Sequence, residues 1–201
     1  MSLLYFEPEK ITVLENYISL LKEYQKRMNL IGKSTMGNIW ERHIFDSAQI
    51  FRLLPKENKN TILIDVGSGA GFPGIVLSIM GRRNVFLCEK NKKKASFLID
   101  VIDKCKLRAF IINERIENIK EKKCSVIVSR AFASLKTLLT RTAHLISKDT
   151  VFLLHKGKRY AEEVEETKKI FSFSIKYYDS LTSKEGKILK IQKIKKIRNF
   201  I

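Results

Sequence analysis

Two acidic residues and a glycine-rich turn carry the chemistry that can be read from this chain. The turn is GSGAGFPG, residues 67–74, with glycines at Gly67, Gly69, Gly71 and Gly74. It follows the apolar run TILIDV, residues 61–66, and precedes IVLSIM, residues 75–80. A strand, a glycine turn and a helix in that order let a ligand approach the backbone closely, because no Cβ intervenes. Glu89 closes the next apolar run, NVFLCE, residues 84–89. A carboxylate at that strand end can accept both hydroxyl protons of a ribose. The combination points to a nucleoside-bearing cofactor.

Two cofactors compete for such a site. Gly69, Gly71 and Gly74 fit the dinucleotide spacing G-x-G-x-x-G. A dinucleotide, however, places its pyrophosphate on free backbone N–H groups at the helix start. Pro73 removes one of those donors, and Phe72 puts a bulky ring into the same turn. S-adenosylmethionine has no pyrophosphate and needs none of them. Asp65, just before the turn, suits a ligand that is cationic at sulfur and carries an ammonium group. The residues favour S-adenosylmethionine, with NAD and an oxidoreductase as the alternative. A turn serving only helix–strand packing would need one or two glycines rather than four.

The elements that must position these residues alternate. Apolar runs at 62–66, 85–89, 109–112, 125–129 and 151–155 read as short strands, with helices at 74–80, 91–104, 134–147 and 159–170. Regular alternation predicts a parallel sheet covered by helices on both faces. Residues 171–178 and 187–195 are spaced for a terminal antiparallel hairpin on the sheet edge. Before the sheet, Ile11, Leu14, Ile18, Leu21 and Tyr24 recur at helical spacing within 9–28. Residues 39–54 read as a second helix, stopped by Pro55. The chain therefore divides into an N-terminal helical extension, 1–58, and a catalytic domain, 59–201, built as one compact unit. Ligands in such sheets bind beyond the carboxyl ends of the strands.

Composition narrows the partners. The 201 residues hold 39 basic and 21 acidic side chains, a formal charge of +18. Residues 61–155 carry 17 basic and 8 acidic residues, and 156–201 carry 13 and 6. The excess thus lies on the catalytic domain and its C-terminal end, not on a detachable tail. Such a surface favours a polyanion, although a solvated lysine-rich composition gives the same count. No apolar run approaches the ~20 residues of a membrane span. The N-terminus shows no basic leader, so a cytoplasmic protein is expected. Cys88, Cys105 and Cys124 form no C-x-x-C pair, so neither a disulfide framework nor a metal site is indicated.

The chain resembles the bacterial small-subunit ribosomal RNA guanine-N7 methyltransferases, the glucose-inhibited division protein B family. Four stretches carry the likeness, in family order. They are Asn29 and Leu30 followed by WERH, 40–43, and Asp46 with Ser47; LIDVGSGAGFPG, 63–74; SRAFASL, 129–135; and Lys156 with Gly157. The resemblance implies a Rossmann-like seven-stranded α/β methyltransferase sheet with an N-terminal helical extension. It implies S-adenosylmethionine as donor and a guanosine in the decoding-region loop of 16S rRNA, or of the small ribosomal subunit, as acceptor. By position the implied cofactor contacts are Gly67, Phe72, Ile116, Glu117 and Arg130. Glu89 stands where many relatives carry Asp, and residues 92–94 are more lysine-rich than the family pattern.

The residues suggest further roles. Guanine N7 presents an unprotonated lone pair, so transfer needs alignment rather than a general base, and none is expected here. Alignment of this kind supplies ~7–11 kcal/mol. Arg130, ending the fourth strand, is expected to bind the cofactor carboxylate or guanine O6. Phe132 can stack on a base or pack beneath its loop. Lys156 and Lys158, flanking Gly157, suit phosphate contact. His43 and Asp46, one helical turn apart, are expected to anchor the N-terminal helices over the site. Cys124 should lie away from the cofactor and Cys88 on the other side of the sheet, which argues against thiolate attack on a pyrimidine. No protein partner is evident, and a monomer is expected. A non-catalytic rRNA-binding assembly factor on the same fold is the reading from another class.

Overall fold

The structure, a computed structural model, describes residues 6–120 and 123–197. The leader expectation falls partly on residues 1–5, which lie outside the described residues.

The chain begins with α1 (Pro8–Gln25). It ends three residues before the predicted stop, because Gln25 captures the chain that follows. Its Oε1 accepts the N–H groups of Leu30 at 2.9 Å and Ile31 at 3.0 Å. Residues 39–54 are not one regular helix. A π-helical turn, Trp40–Phe45, leads into α2 (Asp46–Ala48) and a 3-10 turn, Phe51–Leu53. π turns of this kind are frequent at functional sites.

The alternating region then runs β1 (Leu63–Val66), α3 (Gly74–Ile79), β2 (Val85–Cys88), α4 (Lys92–Lys104), β3 (Ala109–Ile112), β4 (Val126–Arg130), α5 (Leu135–Thr142), β5 (Val151–Lys156), α6 (Tyr160–Lys168), β6 (Phe171–Asp179) and β7 (Lys187–Lys196). Among the described residues these strands form one seven-stranded sheet, ordered β3-β2-β1-β4-β5-β7-β6. β1 lies parallel to β2 and β4, with Leu63 opposite Val85 and Val126. β7 inserts antiparallel between β5 and β6. The terminal hairpin therefore closes the edge as expected, with its second strand, not its first, pairing with β5.

β1 is buried along its whole length, and successive side chains feed opposite faces of the sheet. Leu63 joins Leu14, Tyr17, Leu21, Val76 and Leu98 on the face covered by α1, α3 and α4. Ile64 and Val66 join Leu135, Leu138 and Val164 on the face covered by α5 and α6. Each such fully buried aliphatic side chain contributes roughly 1.5–3 kcal/mol. The N-terminal layer is thus part of the first core. It also braces the glycine turn directly, since the Tyr17 hydroxyl donates to the Ala70 carbonyl at 2.5 Å.

At the end of the turn Gly74 opens α3, and a Cβ there would meet Leu87 Cδ2 at 2.3 Å and Asp65 Oδ2 at 2.7 Å. Gly74→Ala is expected to cost about 1–3 kcal/mol through overpacking. Thermal unfolding should show Tm lowered by at least ~2 °C; an unchanged Tm would contradict this packing.

Candidate active site

Two cavities open at the carboxyl ends of the parallel strands, on either side of the point where strand order reverses between β1 and β4. The first, about 250 Å³, is lined by Gly67, Gly69, Cys88, Glu89, Ile116 and Glu117, among others. The second, about 410 Å³, is lined by Asp46, Arg130, His155, Lys156, Thr182 and neighbouring residues. Ala131 and Phe132 line both cavities and form the wall between them.

The first cavity fits the nucleoside end of a cofactor. Glu89 follows β2 directly, and its longer arm reaches back into the turn. Its Oε2 accepts the Gly69 N–H at 3.0 Å, and Oε1 accepts the Asn91 N–H at 2.8 Å. The carboxylate is therefore fixed before any ligand arrives, with lone pairs left for ribose hydroxyls. Gly69 has φ +57°, and a Cβ there would meet nothing nearer than the Gly67 carbonyl at 3.8 Å, so its backbone faces open space. Ile116 supplies a buried apolar wall. Glu117 lies at the rim, 3.4 Å from Arg141 Nε.

Other residues expected at the cofactor lie elsewhere. Asp65 is completely buried beneath the turn. Its Oδ2 accepts the Gly74 N–H at 2.9 Å, and burial pushes its carboxyl up to about 7. It is a cap for α3, not a contact for a ligand ammonium. This cap also occupies the donor on which a pyrophosphate would sit, which removes the basis of the NAD alternative. Gly71 packs against Ile75 and Leu98. The Phe72 ring lies among Tyr17 at 5.5 Å, His43 at 4.9 Å and the Arg130 guanidinium at 4.8 Å; it lines neither cavity. Gly67 is needed for its φ of +72° and because Phe132 Cδ2 stands 2.4 Å from where a Cβ would be.

Arg130 lines the second cavity, and the N-terminal layer grips it. Its Nη1 donates to the Arg42 carbonyl and to Asp46 Oδ2, both at 3.0 Å, and its Nη2 to His43 Nδ1 at 2.7 Å. Asp46 Oδ1 accepts the Thr182 hydroxyl at 2.7 Å, which ties in the β6–β7 turn. Burial raises the Asp46 carboxyl, but His155, Arg130 and Thr182 outweigh it and hold it below its ordinary value. His43 and Asp46 thus act through a shared partner and not through a hydrogen bond to each other. They meet at the guanidinium.

His43 is held neutral. Burial first, and then Arg130, lower its pKa to about 4. Its Nδ1 accepts from Arg130, so the proton sits on Nε2 and faces the Thr35 hydroxyl at 2.8 Å. His155, unassigned from sequence, is also lowered by burial, and its Nε2 lies 2.7 Å from the Asp46 carbonyl.

Lys156 corrects an expectation. Its side chain is only 9% exposed, and Nζ donates to the Ala133 carbonyl and to Glu163 Oε2, both at 2.7 Å. Glu163 Oε2 also accepts the Leu135 N–H at 2.7 Å. The lysine therefore holds the 131–135 loop and does not present its charge to phosphate. Lys158 is exposed. Phe132 is partly buried, packed on Gly67 and beneath Arg141. Glu163 and Tyr17 escaped the sequence reading, because nothing in their spacing marks a residue that braces a distant loop.

Cys124 is buried near the Leu145 carbonyl, away from both cavities. Cys88, expected on the other side of the sheet, lines the first cavity instead. Burial and the surrounding carboxylates push its thiol up to about 12. It therefore supplies no thiolate at neutral pH.

A reversed strand order, a glycine turn after β1 and a ribose-type acid after β2 define a methyltransferase of the Rossmann-like, S-adenosylmethionine-dependent class. The family description "rRNA small subunit methyltransferase G" matches residues 10–193. The Ribosomal RNA small subunit methyltransferase G of Rickettsia prowazekii is 42% identical over 191 residues, covering 95% of this chain and 98% of that protein. The protein of the same name in Orientia tsutsugamushi (strain Ikeda) is 40% identical over 184 residues, covering 92% and 91%. The chain belongs to the rRNA small subunit methyltransferase G family. In fold it is similar to the structure titled a putative S-adenosyl-L-methionine-dependent methyltransferase from Methanococcus maripaludis. That likeness has a TM-score of 0.59 at 18% identity, covering 92% of this chain and 94% of that one.

The Arg130–His43 contact has a pH consequence. Unfolded His43 takes up a proton as pH falls through about 6.5, whereas the folded residue does so only near 4. Acid in that window therefore favours unfolding. His43→Gln is expected to flatten the fall of Tm between pH 6.5 and 4; an equally steep fall in the variant would contradict the neutral-histidine arrangement.

Proposed function

We propose that this protein transfers a methyl group from S-adenosylmethionine to N7 of a guanosine in the decoding-region loop of 16S rRNA. The observation that carries the reading is the pair of cavities sharing the Ala131–Phe132 wall. One suits a nucleoside, and the other offers an arginine beside a carboxylate. The bound cofactor supplies an electrophilic methyl group on a sulfonium.

The residues supply orientation. In the cofactor cleft Glu89 accepts the ribose hydroxyls, Gly67 and Gly69 line the backbone side, and Ile116 and Glu117 bound the base. In the acceptor cavity three of the five Arg130 N–H donors are taken by Arg42, His43 and Asp46. The remaining two can donate to guanine O6, which lies beside N7 on the same base edge. That bond turns the N7 lone pair toward the shared wall. N7 carries no proton, so no base is required, and the product's positive charge forms near the Asp46 carboxylate. Phe132 offers a ring face against which the purine can lie. Lys158, exposed beyond Gly157, is placed for a backbone phosphate. One chain lines both cavities, so the reading takes a monomer as the active unit. It acts in the cytoplasm, where small subunits are made. The helical extension, 1–58, serves as the part that grips Arg130 of the 59–201 catalytic domain.

Incubation with methyl-labelled S-adenosylmethionine and small subunits lacking the modification, followed by nucleoside analysis, tests the assignment. Label confined to 7-methylguanosine at one site is the expected outcome. Arg130→Lys should keep cofactor binding and lower kcat/KM by ~10²-fold or more, since a lysine cannot reproduce the bidentate fork. Cofactor binding without label would instead favour a non-catalytic assembly factor.

A further inference from the structure

Three consecutive lysines at the start of α4 do nothing for the fold. Lys92, Lys93 and Lys94 occupy the first turn, and no acid accompanies them there. The N-terminus of a helix carries the positive end of its dipole, so cations in that turn destabilise it. Three of the backbone donors there are already engaged, because Asn91 Oδ1 accepts the N–H groups of Lys93 at 3.0 Å and Lys94 at 3.2 Å and the Asn91 carbonyl accepts that of Ala95. The nearest loop acid is also engaged. Glu114 Oε1 accepts the Arg115 N–H at 2.6 Å and the Asn118 amide at 3.0 Å. Lys90, Lys92, Lys93 and Arg115 are exposed, and among the described residues none of them is in an ion pair with an acid.

These side chains also surround a shape. A depression of about 400 Å³ is lined by Lys90, Asn91, Lys92, Asn113, Glu114 and Arg115. Lys90, Glu114 and Arg115 line the cofactor cleft as well, so the depression adjoins the cleft. The cluster opposes its own helix dipole and stands beside the cofactor cleft.

We propose that Lys90, Lys92, Lys93 and Arg115 form a cationic rim that holds backbone phosphates of the acceptor RNA. The strand then spans the cofactor cleft, from this rim over β2 and β3 to the Arg130 cavity beyond β4. The proposal rests on the RNA-acceptor reading above and adds where the polyanion lies. Contacts of this kind fix register and affinity and read no sequence.

The test compares the wild type with Lys92→Gln/Lys93→Gln and with Lys168→Gln/Lys169→Gln. The last pair removes the same charge at the end of α6, at the opposite end of the sheet, where Lys168 and Lys169 pair with Glu165 and Glu166. Initial rates on small subunits lacking the modification are measured at saturating S-adenosylmethionine and several salt concentrations, with Tm in parallel. For Lys92→Gln/Lys93→Gln, KM for subunits should rise roughly 3–30-fold at ~0.1 M salt, and the log–log salt slope should shrink by about 1–2. Its kcat should be unchanged, and its Tm should rise by ~1 °C or more as the helix start is relieved. The α6 pair should leave KM unchanged and not raise Tm. Wild-type KM and salt slope in the α4 variant, or an equal KM rise in the α6 variant, would overturn the rim. Absence of methyl transfer by the wild type at every salt would overturn the RNA-acceptor reading itself.

Discussion

The guanidinium of Arg130 is the interaction on which the site's geometry depends. It ends β4, yet its partners are Arg42, His43 and Asp46 of the N-terminal layer and the ring of Phe72 in the glycine turn. One side chain thus fastens the helical extension, the turn and the central sheet together at the reaction face. The pair with Asp46 is largely withdrawn from water, with side chains 17% and 15% exposed. Such a pair adds little net stability over an apolar contact, but breaking it strands a charge and costs about 3–5 kcal/mol. Its value here is specificity of arrangement. Asp46 passes the constraint on through Thr182, so the β6–β7 turn is set by the same residue that sets the arginine.

The glycine turn is held from both sides in a related way. From above, Tyr17 donates to the Ala70 carbonyl and packs on Phe72. From below, Asp65 caps Gly74. From the cleft side, Glu89 takes the Gly69 N–H. A turn this rich in glycine loses much conformational entropy on folding, and these bonds offset that loss. They also explain how four glycines divide their work. Gly71 and Gly74 serve packing, Gly67 makes room for Phe132, and only Gly67 and Gly69 face the cleft. The spacing that signals a cofactor site is therefore half a packing signal.

Most of the architecture was legible, and the misreadings have physical causes. Strand positions followed from short apolar runs, and the observed bounds differ by about a residue, as at β1 (Leu63–Val66). The helix over 39–54 was legible as helical but not as a π turn, because hydropathy spacing does not report a local change of pitch. Glu89, Gly67, Gly69, Ile116 and Glu117 converge on one cleft, and Arg130 stands beside it. Asp65 and Lys156 were assigned by charge and position at strand ends. Their destinations are set by tertiary partners, the Gly74 N–H for one and Glu163 with the Ala133 carbonyl for the other. A polar group finds its hydrogen bond wherever the fold places one, and no spacing rule reveals that. Cys88 was misplaced for a simpler reason. Alternation predicts that Cys88 and Glu89 diverge, but the strand ends at Cys88 and the chain turns there.

The chemistry that the site excludes matches the chemistry it is built for. The histidines and the cysteine beside the cavities are held in their neutral forms by burial, and Asp65, raised to about 7, is sealed beneath the turn against the Gly74 N–H and lines neither cavity. His43 is lowered to about 4, His155 is lowered, and the Cys88 thiol is raised to about 12. Two ion pairs line the second cavity, Arg130 with Asp46 and Lys156 with Glu163. A site that had to remove a proton would need one of these groups poised between its two states. A site that aligns a lone pair already present needs fixed donors and a nearby negative charge. The arrangement meets the second requirement and not the first, and an aromatic nitrogen such as guanine N7 is an acceptor that asks for no more than that.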